Sequence, residues 1–254
     1  MGLAGLRIPE AFGGIQCPML TYAHLIRELA YASPSVAVTL AVHNMVGEIV
    51  STYAHEPLRS TLLPRLVEPG NLTGFALTEP DAGSDTAAAK TRAEKVAGGW
   101  RIFGNKMGVT NGITGRWFCV LARTGTTGDK SDFSLVLLDA EQEGVRRSTI
   151  PGKMGIRGSE TAEWSLEGAF VRDENLLGRP GDGRPIGLTS LGGGRIGIAS
   201  QALGIALACL DEIKRYARQR VQFGRPIADF QAIQWMIADS ATEIAAAQKL
   251  IDRA

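Results

Sequence analysis

The chain has 254 residues, 44% of them hydrophobic, with 27 Lys and Arg against 26 Asp and Glu for a net charge of +1. That length can bury the core of one large or two smaller domains. The even charge excludes a nucleic-acid binder or a polybasic membrane anchor, both of which need a marked excess of cations.

Met1 is followed by Gly2, Leu3 and Ala4 and then by the Pro/Gly-rich stretch Pro9 to Gly14, which does not read as a secretory signal. From there to about Leu72 the pattern is helical. Ser33-Pro34 reads as an N-cap with proline at the first helical position, and Val36, Leu40, His43, Val46 and Val50 keep helical spacing. The other faces of this helix are also apolar, so it should be buried, although Gly47 costs it about 1 kcal/mol relative to Ala.

From roughly Thr73 to Gly181 the period changes. Short β-branched or aromatic runs recur at Gly74–Thr78, Thr91–Val96, Trp100–Phe103, Trp117–Ala122 and Phe133–Leu138, separated by turn formers such as Pro80-Asp81-Ala82-Gly83 and Gly98-Gly99. No long helical pattern lies between them, so an antiparallel barrel or sandwich is expected rather than a parallel sheet. The remainder is helical. Ile196, Ala199, Leu203, Ala206, Leu210, Ile213 and Ala217 form one bundle-type stripe, and Phe230, Ile233, Ile237, Ile244 and Ile251 form a second. The second stripe is still running at Ala254 and the start is equally abrupt, so both ends read as edges of a larger fold. The most apolar windows, Val36–Val50 and Ile196–Leu210, hold His43, Asn44 and Glu48, or Ser200 and Gln201, and neither reads as a membrane span.

Cys17, Cys119 and Cys209 are odd in number and widely spaced, and His24, His43 and His55 make no metal-ligand spacing with them. They read as reduced thiols packed in the core of a cytosolic protein, with no metal site. Gly192, Gly194 and Gly197 spell GxGxxG, but a helical stripe follows and another helix comes next, so the strand–helix–strand setting of a dinucleotide fold is missing.

The informative segment is Phe75-Ala76-Leu77-Thr78-Glu79-Pro80-Asp81-Ala82-Gly83-Ser84-Asp85. On its residues alone it is a strand running into a tight turn, with backbone N–H groups and the Thr78 and Ser84 hydroxyls open to close approach by a ligand, but an ordinary strand end with an Asx-type turn is the favoured reading on those grounds. Leu-Thr-Glu-Pro-x-Ala-Gly-Ser-Asp, however, closely resembles the signature of the acyl-CoA dehydrogenase family. Lys106–Gly112 resembles that family's second flavin strand, and Lys153–Ser159 its substrate-side loop. Arg195–Gly204 is similar to the long helix of its short-chain members, and Arg220–Ile227 with Phe230-Gln231 to its cofactor segment at the subunit interface. The resemblance covers essentially the whole chain, including Gly2–Gly14 and the helix through His43-Asn44.

The resemblance implies an α+β multidomain protein: an N-terminal helical domain over 1–72, a middle antiparallel β-barrel or sandwich domain over 73–181, and a C-terminal helical bundle over 182–254, the outer two incomplete. It implies an oxidoreductase of fatty-acid and lipid metabolism that uses FAD to convert an acyl-CoA to its trans-2-enoyl thioester. Phe75, Leu77, Thr78, Gly83 and Ser84 would line the flavin ring and adjoining phosphates, with Ser84 also near the acyl-CoA. Val109 and Thr110 would sit beside the ring. Arg220, Phe223 and Gln231 would hold the pyrophosphate and adenosine of an FAD bound mainly by a neighbouring subunit, and Arg195 would contact the coenzyme A portion. On spacing alone, Arg220 and Arg195 read as surface cations of a helix. The expected partners are the acyl-CoA, an electron-transfer flavoprotein or similar acceptor, and further copies of the chain or the other half of a split enzyme, in the cytoplasm.

The departures from the family pattern are informative. Gly108 stands where an aromatic usually covers the flavin, Gly192 replaces an Asp often found near the coenzyme A, and the aromatic usual near Arg184 is missing. Dehydrogenation needs a carboxylate base for the α-proton. One branch of the family places a Glu immediately before the position of Arg195, which here is Gly194; the common branch places it in a later helix, past Ala254. Glu79 belongs to the signature turn and looks structural. The chain alone is therefore expected to be inactive. Two rival readings are a non-catalytic subunit that binds FAD or acyl-CoA or scaffolds a partner, and a flavin oxidase or monooxygenase of the same fold.

Overall fold

A computed structural model describes residues 2–129 and 132–254. Three helices come first, α1 (Met19–Ala32), α2 (Pro34–Tyr53) and α3 (Glu56–Val67). Eight strands follow: β1 (Thr73–Ala76), β2 (Arg92–Val96), β3 (Gly99–Thr110), β4 (Trp117–Arg123), β5 (Phe133–Asp139), β6 (Val145–Thr149), β7 (Thr161–Arg172) and β8 (Leu176–Leu177). Helix α4 (Gly183–Gln219), the hairpin β9 (Val221–Gln222) and β10 (Arg225–Pro226), and α5 (Gln231–Arg253) complete the order. The expected sequence of helical, mainly antiparallel β and helical segments is what the chain forms. It divides into two compact units, one of Met1–Cys17 with Thr39–Gly194 and the other of Pro18–Val38 with Arg195–Ala254.

In the first unit the sheet order is β6-β7-β3-β2-β4-β5-β8, with β1 joined to β4. All pairings are antiparallel except β1 and β2 on β4, which are parallel. Strands β4 and β5 are buried on both faces, which explains their continuous apolar runs. Cys119, Leu121, Leu135 and Leu137 face Val46, Ile49, Leu63 and Leu66 of the helices, while Phe118, Val120, Val136 and Leu138 face Ile102, Val109 and Trp164. The Phe118 and Trp164 rings meet edge to face with centroids 4.4 Å apart. Strands β6 and β7 lie outside the runs expected from sequence, although β7 alternates cleanly: Ala162, Trp164 and Leu166 are buried, Glu163 and Glu167 exposed.

His43 is fully buried here as a neutral ring. Its Nε2–H donates to Leu66 O at 2.9 Å, so Nδ1 is left to accept from the Thr73 hydroxyl at 3.1 Å. Burial holds its pKa below the ordinary value.

In the second unit, Gly204 lets α1 approach α4 closely: a Cβ there would fall 2.2 Å from Arg27 O. Tyr31 donates to Asp211 at 3.0 Å, and His24 meets Asp252 at 2.9 Å. The polar residues in the Ile196–Leu210 window face inward, where Ser200 and Gln201 are buried and Gln201 Nε2 donates to Pro34 O at 3.1 Å. Among the described residues α4 is the one helix long and apolar enough, by length and composition, to cross a membrane. Gly192–Gly194 lie inside α4, which begins at Gly183. One sequence expectation is corrected. Cys209 is exposed on α4 because the inward stripe runs through Leu203, Leu210 and Ala217 beside it, whereas Cys17 and Cys119 are buried.

Candidate functional site

The turn after β1 is fixed from beneath by a buried ion pair. Glu79 accepts from Lys106 Nζ at 2.8 Å, from Lys90 N at 2.6 Å and from Thr91 N at 3.0 Å, and its side chain is 6% exposed. Burial raises its pKa, but the Lys106 charge and these hydrogen bonds outweigh burial and hold the carboxyl below its usual range. Lys106, fully buried, also donates to Leu77 O at 3.1 Å; burial pushes its pKa down against the pull of Glu79. Met107 N donates to Thr78 O at 2.9 Å, which lays the second motif segment alongside the first. Glu79 is therefore a structural anchor, as its place in the turn suggested.

Above this anchor the turn is open. Thr78, Gly83 and Ser84 are exposed, and a Cβ at Gly83 would meet nothing within 4 Å. The N–H groups of Gly83 and Ser84 and the hydroxyls of Thr78, Ser84 and Thr110 have no partner in the protein among the described residues. Such a set of unpaired donors on a small-residue turn suits the oxygens of a nucleotide and the edge of a heteroaromatic ring. Phe75 and Leu77 are half-buried against the helical side of the core, with the Phe75 ring beside Gly187. The Val109 side chain is fully buried with Phe118 and Trp164, one residue before the half-buried Thr110. Gly108 is exposed at φ +70 with open space where a side chain would stand, in a register shift of β3 against β7.

The second cluster, all within the second unit, is the β9–β10 hairpin. Phe223 and Gly224 form its turn with φ of 53 and 77, and Phe223 is 93% exposed. A bulky residue at positive φ carries about 1–2 kcal/mol of strain and points to function at the tip. Its ring meets Phe230 edge to face at 6.2 Å, Arg225 covers Phe230 at 4.3 Å, and Arg220 and Gln231 are exposed at either side of the hairpin. Two aromatic rings and two exposed cations, one of them over a ring, suit a purine and its phosphates. Arg195 is exposed on the same helix, about 36 Å along its axis from the hairpin end, so it cannot share one ligand group with Arg220.

The Lys153–Ser159 segment is a loop beside a cavity of about 480 Å³. Lys153 Nζ donates to the carbonyls of Ile156 and Ser159, and Ile156 is held at φ 52, a second strained non-glycine residue in a segment singled out from sequence. Glu160, the other carboxylate near these motifs, accepts from Thr114 N at 3.0 Å and the Thr114 hydroxyl at 2.9 Å. Sequence reasoning passed over Lys106 as a buried cation, Asn111, whose amide donates to Thr39 O and Thr73 O, and Arg184, which reaches the signature turn.

Three models of the acyl-CoA dehydrogenase family match the chain: the N-terminal domain over residues 1–69, the middle domain over 74–169 and the C-terminal domain over 181–254. An acyl-CoA dehydrogenase of Bacillus subtilis is 38% identical over 98% of this chain and 66% of its own length. The structure of butyryl-CoA dehydrogenase from Megasphaera elsdenii is 34% identical with a TM-score of 0.95, covering 99% of this chain and 67% of that one. A Bacillus anthracis acyl-CoA dehydrogenase complexed with FAD is 33% identical with a TM-score of 0.92, covering 99% and 44% respectively. The chain spans about two thirds or less of the length of the first curated relatives it matches.

Proposed function

The chain belongs to the acyl-CoA dehydrogenase family, and from that premise we propose that it carries the flavin-binding and thioester-binding surfaces of an enzyme that oxidises an acyl-CoA to its trans-2-enoyl thioester. The observation that supports this most directly is the open turn Thr78–Ser84, with its unpaired donors, clamped from below by the Glu79–Lys106 pair. Thr78, Ser84 and Thr110 would hold the flavin portion of FAD. Arg220, Phe223 and Gln231 of another copy would hold its adenosine and phosphates, and Arg195 the coenzyme A. Bound FAD would supply the acceptor for the β-hydrogen as hydride, and the polypeptide would orient the thioester and exclude water.

The α-proton needs a base, and the carboxylates beside the turn are committed elsewhere. Glu79 is buried in its ion pair, Asp81 pairs with Lys90 at 2.8 Å, Asp85 accepts from Ala87 N at 3.1 Å, and Glu160 is tied to Thr114. Gly194 stands at the family's alternative position. The base would then be supplied from outside these residues, by a further segment or a partner. Association is favoured by an apolar groove of about 490 Å³ between α4 and α5, lined by Leu203, Ile244, Leu250 and Ile251, and by exposed Trp235 and Met236.

The test is turnover of short, medium and branched acyl-CoAs with an artificial acceptor, alongside FAD titration. FAD binding with turnover restored only when a Glu-bearing segment is added in trans would support the proposal; absence of FAD and acyl-CoA binding under both conditions would reject it. A second reading, a non-catalytic subunit, is favoured by Gly108, whose missing side chain leaves open the space beside the turn. FAD binding without turnover in either condition would select it.

A further inference from the structure

The Lys153–Ser159 loop, which joins β6 to β7, shares no residue with the signature turn or the β9–β10 hairpin, and it is closed on itself. Lys153 Nζ donates to Ile156 O at 2.9 Å and to Ser159 O at 2.5 Å, and Ser159 N donates to Ile156 O at 3.2 Å. At its exit Ser159 is buried, and the Thr39 hydroxyl of α2 donates to Ser159 Oγ at 3.3 Å. These bonds hold Ile156 at φ 52, a conformation that a β-branched residue keeps only where its surroundings impose it. The next residue, Arg157, is therefore presented from a fixed backbone.

The cavity of about 480 Å³ beside the loop is lined by Arg157 and Lys153, by Thr149 at the end of β6, and by Thr161 at the start of β7. Lys153 uses two of its three ammonium protons within the loop, which leaves one. The Arg157 guanidinium and the Thr149 and Thr161 hydroxyls have no partner in the protein among the described residues. Glu160 is the one carboxylate of this lining among the described residues, and the Thr114 amide and hydroxyl both bind its Oε2. Two cations thus face one carboxylate that is already engaged.

We infer that Arg157 and Lys153, with the Thr149 and Thr161 hydroxyls, form a binding site for a phosphate dianion. A guanidinium forks onto two phosphate oxygens and an ammonium adds a point charge, so the two cations match a group of charge near −2. The four donors come from a loop and from two strand ends, which suits a tetrahedral group with several free oxygens better than a planar carboxylate. A phosphate fills only part of the cavity, and the remaining volume admits the organic portion of a small phosphomonoester. The site does not rest on the flavin and thioester reading.

Isothermal titration calorimetry of the intact chain at constant ionic strength tests this with inorganic phosphate, phenyl phosphate, adenosine 3′-monophosphate and acetate. Saturable phosphate binding is expected, weakened about 10- to 100-fold by Arg157→Gln, less by Arg157→Lys, and several-fold by Thr149→Val or Thr161→Val. Affinity should fall as pH drops through about 6, where the dianion takes up a proton. Arg157 is exposed and unpartnered, so its variants should keep the Tm of the parent. Arg65→Gln removes the same charge outside the cavity and should leave binding unchanged. Tighter binding of either ester than of inorganic phosphate identifies a phosphomonoester as the ligand, and equal or weaker binding identifies the free anion. Acetate binding as tightly as phosphate, equal weakening by Arg65→Gln and Arg157→Gln, or no saturable binding of phosphate or either ester by the unmodified chain overturns the site.

Discussion

Replacing Lys106 by Met removes one member of a pair whose other member is buried, with 6% of its side chain exposed. Glu79 would keep its two backbone donors, Lys90 N and Thr91 N, but its charge would lie buried without a counter-ion, and Leu77 O would lose its ammonium donor. Breaking a buried pair from one side costs about 3–5 kcal/mol, a large part of the roughly 5–15 kcal/mol that holds a domain folded. With a urea m-value near 3 kcal/mol/M, the midpoint should fall by about 1–2 M. Intrinsic fluorescence would report it, since Trp164 is buried in the same unit. Exchanging both partners for Leu should destabilise less than the two single changes added together, because no charge is left behind, although the two amides remain orphaned at about 1–3 kcal/mol each. The acid limb adds a check with a definite sign. The Glu79 pKa lies lower in the folded than in the unfolded state, so its contribution is present above about pH 4.3 and is lost as pH falls through the folded value. Glu79→Gln should flatten that limb. A Lys106→Met protein within 1 kcal/mol of the parent, with the acid limb unchanged in Glu79→Gln, would refute the anchoring argument.

The chain alone should not turn over acyl-CoA, as loss of a general base costs about 10²–10⁴-fold; activity that survives Glu160→Gln would reveal a carboxylate not yet assigned. Phe223→Gly should raise Tm by relieving the φ of 53 while weakening adenosine-nucleotide binding, and unchanged binding would separate the strained tip from function. Because the folded pKa of His43 is depressed, stability should fall as pH drops below about 6.5, by up to about 1.4 kcal/mol per unit; His43→Gln should lose that slope in a thermal scan from pH 7 to 5. Gly192→Ala, in open space inside α4, should stabilise by about 1 kcal/mol, whereas Gly108→Ala, at φ +70, should destabilise by a similar amount, and equal signs in denaturant titrations would contradict the backbone reading.

The strands buried on both faces were legible because β4 and β5 are continuous apolar runs between turn formers, a signal that needs no tertiary information. β7 carries an equally plain period of two in Thr161-Ala162-Glu163-Trp164-Ser165-Leu166-Glu167, the pattern of a strand buried on one face. The start of α4 was illegible. Its opening turns hold Gly183, Pro185, Gly187 and Gly192–Gly194, which local propensity assigns to a loop, and the helix persists there because packing overrides propensity. Gly183 pressed against Ser134 is one such contact, available only to a residue without Cβ.

The candidate site divides along the same line. The turn and the place of Glu79 in it could be read from residues because they depend on local chemistry, small residues and turn formers after a strand, whereas the strained hairpin tip lies in a stretch expected to be helical. Lys106 could not, since a lysine in a strand reads as a solvated cation until its partner is placed, and the partner lies 27 positions away. Arg184 stands out in the sequence only as a missing aromatic, and Thr86, which accepts from its Nε, lies 98 positions distant. Motif reading finds groups that face a ligand and misses the groups that orient them, because orientation is imposed by residues remote in sequence. Both remote cations donate to the same short stretch, Lys106 to Leu77 and Glu79 beneath it and Arg184 to Thr86 at its end. A turn held at both ends in this way presents Thr78, Gly83 and Ser84 in one fixed arrangement, so less binding energy is lost to ordering the loop when a ligand arrives.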